Sequence, residues 1–205
     1  MSYNFLTVGS DCSPAYTLRN LNLREYALPF DWNVSYIDSL ERCFREDFRN
    51  YHKNLKLNDK KDLLVDEYGF KFPHDYPKKN ADVNESELGE GVIPQTKGTE
   101  ITEKWSEYHD IVLEKYSRRI ERFRQIMKDT KPIVVLCRYR IYDVLRIQKF
   151  FAQYYNKTNV YFVNSCAQSY ETDKIKNVFT ERNQQWNEAA LWKEGIDAII
   201  KKIEL

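Results

Sequence analysis

Ile133-Val134-Val135-Leu136-Cys137 sets five apolar residues in an unbroken row just after Pro132. Such a row reads as a strand buried on both faces, the kind found in parallel sheets. The pattern alternates downstream of it. Val144, Leu145, Ile147, Phe150 and Phe151 mark a helix near 142–154, and Val160-Tyr161-Phe162-Val163 forms a second buried run. Upstream, Trp105, Tyr108, Val112, Tyr116, Ile120, Phe123 and Met127 make an apolar seam at helical spacing, which should end near Asp129 because Pro132 follows. Strand, helix, strand, helix predicts one α/β domain over 1–205: a three-layer α/β/α arrangement around a mostly parallel central sheet.

The N-terminus repeats the theme. Phe5-Leu6-Thr7-Val8 is a short buried strand, Gly9 permits a sharp turn, Ser13 can cap a helix near 13–21, and Pro14 suits its first position. Tyr26 to Trp32 reads as a connection. Ser35 with Asp38 resembles a capping box, and Ile37, Leu40, Phe44, Phe48 and Tyr51 predict an amphipathic helix of about four turns. Leu63–Asp66 and Phe70–Phe72 are candidate strands, paired as a hairpin around Tyr68-Gly69. Lys78 to Thr102 carries Gly89, Gly91, Pro94 and Gly98 with few large apolar residues, so a mobile loop is expected over 78–104. The last helix uses Trp186, Ala189, Ala190, Trp192, Ile196, Ile199, Ile200 and Ile203.

Composition narrows the function classes. With 32 Lys+Arg against 31 Asp+Glu the net charge is +1, which gives no bulk attraction to nucleic acid or an anionic membrane. No run approaches the roughly 20 apolar residues of a membrane span. The start of the chain has neither a basic segment nor an apolar one of secretory type. Cys12, Cys43, Cys137 and Cys166 are scattered, without a disulfide framework or a C-x-x-C pair. A cytoplasmic protein with no metal or other cofactor is the expectation, and its partner a peptide, acyl or glycan substrate rather than nucleic acid or membrane.

The chemistry lies after the strands. Gly9-Ser10-Asp11-Cys12, His74-Asp75, Arg138 and Asn164-Ser165-Cys166 each follow a candidate strand or close it. Were those strands parallel, these residues would gather along one edge, where open α/β sheets bind ligands. Cys12 would also sit beside a helix N-terminus, which stabilises a thiolate. Nucleophile, base, orienter and oxyanion donors are the inventory of acyl transfer. Cys12 is the candidate nucleophile, with Ser10 as rival, and His74 the candidate base. Asp75, Asp31 and Asn164 compete as orienter. Arg138 either binds an anionic group or forms a surface salt bridge. Backbone N–H groups after Gly9 would serve the oxyanion. Cys43, Cys137 and Cys166 read as packing thiols, His52 and His109 as surface or packing residues, and Arg118–Arg124 as a solvated helix face.

Gly9-Ser10-Asp11-Cys12, Leu18-Arg19, Pro29-Phe30-Asp31-Trp32, Phe72-Pro73-His74-Asp75, Tyr116–Phe123 and Ile133–Arg138 together resemble the blocks of a family described as papain-like cysteine peptidases, found in bacteria and large DNA viruses. The resemblance covers most of the chain. It implies a cysteine nucleophile at Cys12 and a histidine base at His74, acting on a peptide, acyl or glycan substrate. Gly9, Ser10, Asp31, Trp32, Arg138 and Asn164 are the candidate substrate-binding residues. A papain-like fold starts with a helix carrying the cysteine and places its histidine on an antiparallel β domain, whereas the residue pattern here is α/β. Residues 5–32 are also similar to G-S-C-F-A and capsule-polysaccharide enzymes. That similarity implies an SGNH-like serine esterase or acyltransferase as the alternative, with a non-catalytic glycan- or protein-binding module as a third reading.

Overall fold

The computed structural model describes residues 2–79, 99–179 and 189–205. Its centre is a parallel sheet of β1 (Asn4–Gly9), β5 (Ile133–Arg138), β6 (Val160–Cys166) and β7 (Ile175–Phe179), in the order β1-β5-β6-β7. Asn4 lies opposite Ile133 and Gly9 opposite Arg138, so β1 and β5 end level with each other.

Alternate side chains of these strands go to opposite layers, as the two-residue strand period requires. Phe5, Val134, Leu136, Val163 and Val178 pack with Leu18 of α1 (Ser13–Asn20) and with Trp192, Ile196 and Ile199 of α5 (Ala189–Ile203). Leu6, Val8, Ile133, Val135, Cys137, Val160 and Phe162 face the other way. That layer is built by α2 (Ile37–Arg45), α3 (His109–Lys128) and α4 (Ile141–Tyr155). Both faces of the sheet are therefore covered, which is why its strands read as continuous apolar runs rather than alternating ones. Fully burying each such side chain contributes about 1.5–3 kcal/mol. At Gly195 α5 lies so close to the sheet that an added Cβ would stand 2.7 Å from Val163 and Val178 methyl carbons.

The expected α/β sandwich is present, with differences that bear on the site. β4 (Lys71–Phe72) is not a strand of the parallel sheet. It belongs to a separate antiparallel sheet with β2 (Lys56–Leu57) and β3 (Leu64–Val65). The hairpin turns at Gly69, whose φ of +94° is open to glycine at no steric cost. α2 stops at Arg45 instead of running to Tyr51, because Asp47 and Phe48 adopt left-handed φ values of 45° and 62°. Phe48 and Tyr51 are buried all the same, now from turns. The Ser35–Asp38 capping box does not form: Tyr36 is the N-cap and no side chain caps it, since the Ser35 hydroxyl bonds elsewhere.

β7 had no forecast. The chain reaches it without a helix, through a return segment that bridges β7 at Glu171–Lys176. Of the expected loop over 78–104, residues 80–98 lie outside the described residues. Its feet are ordered: Lys78 bridges Ile101, and Ile101 is fully buried. Trp186 of the last predicted helix also lies outside the described residues.

Candidate active site

β1 ends at Gly9, and four residues later α1 begins. Gly9 is required there because a Cβ would meet the Asp11 carbonyl oxygen at 3.0 Å and Pro14 at 3.3 Å. The turn is fixed by its own side chains. Asp11 Oδ1 accepts from the Ser13 N–H at 2.9 Å and from the Ser13 hydroxyl at 2.6 Å. Its other oxygen pairs with Arg138 at 3.2 Å. Cys12 is thereby held as the N-cap of α1, half-buried, without using its side chain to cap.

A second strap crosses the end of β1. The Ser35 N–H donates to the Gly9 carbonyl at 2.8 Å, and the Gly9 N–H donates to Ser35 Oγ at 3.2 Å. One residue back, Val34 and Lys71 exchange backbone hydrogen bonds of 2.9 and 3.0 Å. So Val34 and Ser35 stitch β4 to the carboxyl end of β1, and the chain leaving β4 through Phe72-Pro73-His74-Asp75 brings the Asp75 charge to bear on Cys12 as well as on His74. A histidine from an antiparallel hairpin thus reaches the sheet edge by a route other than the expected parallel strand.

Trp32 stands between the elements. His74, exposed, meets the Trp32 ring edge-on with centroids 6.4 Å apart. Trp32 itself is half-buried at φ +66°, a left-handed conformation that is uncommon for a bulky residue and concentrated at functional sites.

Burial first, then the charges of Asp11 and Asp75, push the Cys12 thiol up to about 12. Partial burial lowers the His74 pKa below the ordinary histidine value, while Asp75 opposes that shift. The resting pair is therefore a neutral thiol and a neutral imidazole. Among the described residues no hydrogen bond joins Cys12 to His74. Asp75 is buried, and its oxygens accept from Lys115 Nζ and, at 2.9 Å, from the Tyr116 hydroxyl. Burial alone would raise its pKa, but the Lys115 ammonium outweighs that and holds it below the usual carboxylate range. Asp75 is thus a fixed negative charge near both Cys12 and His74, and its hydrogen bonds go to α3 rather than to the imidazole.

The other candidates are drawn into the scaffold. Asp31 is buried, accepting from the Thr7 hydroxyl, from the Leu28 N–H at 3.1 Å and from Arg24 at 3.4 Å. Asn164 is fully buried. It accepts from the Tyr139 N–H at 3.0 Å and from the Cys137 thiol at 3.3 Å, and donates to the Tyr139 carbonyl and to Asn177. It shapes the turn after β5. The exposed Ser10 hydroxyl donates to the Arg138 carbonyl at 3.1 Å. Arg138 makes the surface salt bridge with Asp11. Cys43 and Cys137 are buried as expected, but Cys166 is only half-buried. His52 is buried among rings, and its Nε2 lies 2.7 Å from the Tyr76 hydroxyl.

Sequence reading overlooked Ser35, Tyr139, Lys115 and Tyr116 as supports of this edge. The Tyr139 hydroxyl donates to the Ser35 carbonyl at 2.6 Å, tying the strap to β5. Tyr139 carries a legible signal, since it follows a buried strand directly. Lys115 carries none, because a lysine on a long helix is ordinarily solvated. Within the Arg118–Arg124 face, Arg119 departs from expectation: it is half-buried and lies over the Tyr116 ring. Among the described residues no three His, Cys, Asp or Glu side chains converge in a metal-ligating group.

Fold and site together define a parallel α/β protein with a thiol at the first strand-to-helix turn and a histidine delivered from an antiparallel hairpin. The chain belongs to the family described as "Putative papain-like cysteine peptidase (DUF1796)", matched over residues 3–157. The matched span holds Cys12, His74, Asp75 and Arg138, and it stops before β6. The comparisons with curated proteins and with solved structures gave no match. Among the described residues no helix is long and apolar enough to cross a membrane.

Proposed function

We propose that the protein is a cysteine hydrolase of peptidase type, with Cys12 as nucleophile and His74 as general base on an amide substrate. The observation that carries this is the placement of Cys12: half-buried, at the N-cap of α1 and the carboxyl end of β1, with the charge of buried Asp75 acting on both it and His74. Membership of the peptidase family supports the same class.

The electrostatics favour a particular order of events. A thiol at about 12 is not a standing thiolate, so deprotonation accompanies attack. Substrate entering beside Trp32 brings the exposed His74 ring onto Cys12 Sγ. The imidazole takes the thiol proton as sulfur bonds to the carbonyl carbon. The carbonyl π electrons move to oxygen, which meets the Cys12 N–H, a donor used by no acceptor among the described residues. The tetrahedral adduct collapses, the C–N bond breaks, and the amine leaves with the proton from the imidazolium. Water then attacks the thioester, His74 takes its proton and returns it to sulfur, and the acid departs. Asp75, kept ionised by Lys115 and Tyr116, stabilises the imidazolium through space.

The test is proteolytic. Wild-type protein and Cys12→Ala are each incubated with a fluorogenic peptide library, and new termini are read by mass spectrometry. Cleavage by the wild type that disappears in Cys12→Ala is the expected result. Cleavage that survives the substitution removes the proposal.

A further inference from the structure

Arg19, exposed in the last turn of α1, has no anionic partner among the described residues. Its guanidinium is nonetheless placed. Cζ lies 4.8 Å from the Trp32 ring centroid and 5.4 Å from that of Tyr16. Arg24 approaches the same tryptophan at 5.9 Å, but its charge is taken up by Asp31 at 3.4 Å. Two rings on one guanidinium restrict its faces and leave its N–H edge for a planar anion. The tryptophan that organises this holds a left-handed φ of +66°. Residues held in such a conformation persist where the surrounding structure over-determines them.

The position relative to the thiol is set by the helix. Cys12, Tyr16 and Arg19 follow one another at steps of four and three residues, so they share one face of α1. Seven residues at 1.5 Å each put Arg19 about 10 Å from Cys12 along the axis. An extended peptide advances roughly 3.3 Å per residue, so that span is about three residues of substrate. The same Trp32 ring touches His74. Base and cation therefore share one aromatic wall, and the cation stands about two helical turns from the nucleophile on the same helix.

We propose that Arg19 is a specificity-determining residue that binds a substrate carboxylate about three residues from the bond presented to Cys12, with Trp32 holding the guanidinium in place. This rests on the hydrolase reading above. The carboxylate belongs either to an acidic side chain or to a chain terminus, and both offer the same planar pair of oxygens.

The experiment separates this inference from catalysis by measuring binding. Fluorescently labelled octapeptides, each with one Glu at a scanned position and a Gln counterpart, are titrated against full-length Cys12→Ala protein by anisotropy. C-terminally amidated and free-acid versions distinguish a side-chain carboxylate from a terminal one. The expected result is about tenfold tighter binding of the acid-bearing peptide at one register, weakening with added salt and abolished in Cys12→Ala/Arg19→Gln. Arg19→Lys keeps part of the preference, since it keeps the charge without the fork. Equal binding of Glu and Gln peptides, no binding at millimolar peptide, or a preference that survives Arg19→Gln overturns the inference. Acid preference in binding without any cleavage by the wild type leaves Arg19 standing and defeats the hydrolase. Cleavage without acid preference does the reverse.

Discussion

The Cys12 thiol gives the sharpest quantitative forecast. Held up at about 12 by burial, Asp11 and Asp75, it carries a thiolate fraction of about 10⁻⁵ at pH 7, against about 3 × 10⁻² for a free cysteine near 8.5. That is a deficit of roughly 3,000-fold. A more basic thiolate is more nucleophilic by about 0.4–0.5 log per pKa unit, which restores about 40-fold. Cys12 is therefore expected to react with iodoacetamide at pH 7 about 10²-fold more slowly than a cysteine-containing peptide. Asp11→Asn removes one repelling charge, yet keeps an acceptor for the Ser13 N–H, so the turn survives. Like charges about 4 Å apart in water repel by about 1 kcal/mol, about fivefold in thiolate fraction at most for the 40% exposed Asp11; the less basic sulfur gives part of that back, so the gain is about twofold to threefold in rate. Arg138→Ala removes the counter-charge of Asp11 and slows the reaction by a similar factor. The assay is alkylation from pH 6 to 11 with peptide mapping, because the half-buried Cys166 is a second target. Half-maximal reactivity below pH 8, or no acceleration in Asp11→Asn, refutes this account of the resting site.

Gly195→Ala pushes a methyl group into the 2.7 Å gap to Val163 and Val178, and overpacking of this kind costs about 1–3 kcal/mol; urea denaturation reads it as a lowered midpoint. His52, lowered by burial to about 3, stays neutral in the fold while the unfolded chain takes a proton below about 6.5. Its folded pKa is depressed, so its contribution is present above pH 6.5 and falls away as the pH drops toward 3. Asp66, raised by burial to about 6, acts in the opposite sense, strengthening the fold as pH falls from 6 to 4. Comparing wild type with His52→Gln isolates the first effect: the stability difference between them shrinks by about 2 kcal/mol from pH 7 to pH 5. A difference that does not change with pH would show that His52 takes up its proton in the fold as readily as in the unfolded chain.

How much the residues alone reveal follows from how local each signal is. The rows Ile133–Cys137 and Val160–Val163 announce buried parallel strands because both of their faces are covered. Gly9-Ser10-Asp11-Cys12-Ser13-Pro14 announces the strand-to-helix turn because each residue there has its own conformational reason. The extent of α2 is not legible: Phe48 and Tyr51 keep the helical spacing although Asp47 and Phe48 have left the helix, since burial from a turn looks the same as burial from a helix. β7 is a short strand reached without a helix, so alternation gives no cue to it. At the site, the types of Cys12 and His74 pointed to chemistry. The hydrogen-bonding assignments of Asp75 to Lys115 and Tyr116, and of Asn164 to the turn after β5, depend on contacts tens of residues apart. No spacing rule encodes those.

The pairing of Cys12 with His74 is tested most directly with a small activated ester, which needs no knowledge of the natural substrate. p-Nitrophenyl acetate is mixed with wild type and with His74→Ala at pH 7.5, and acetylation of Cys12 is followed by peptide mass spectrometry. A general base contributes about 10²–10⁴-fold, so Cys12 acetylation should slow by at least 10²-fold in His74→Ala while labelling at pH 10 and above is retained. Equal rates in the two proteins at pH 7.5 would contradict the pairing.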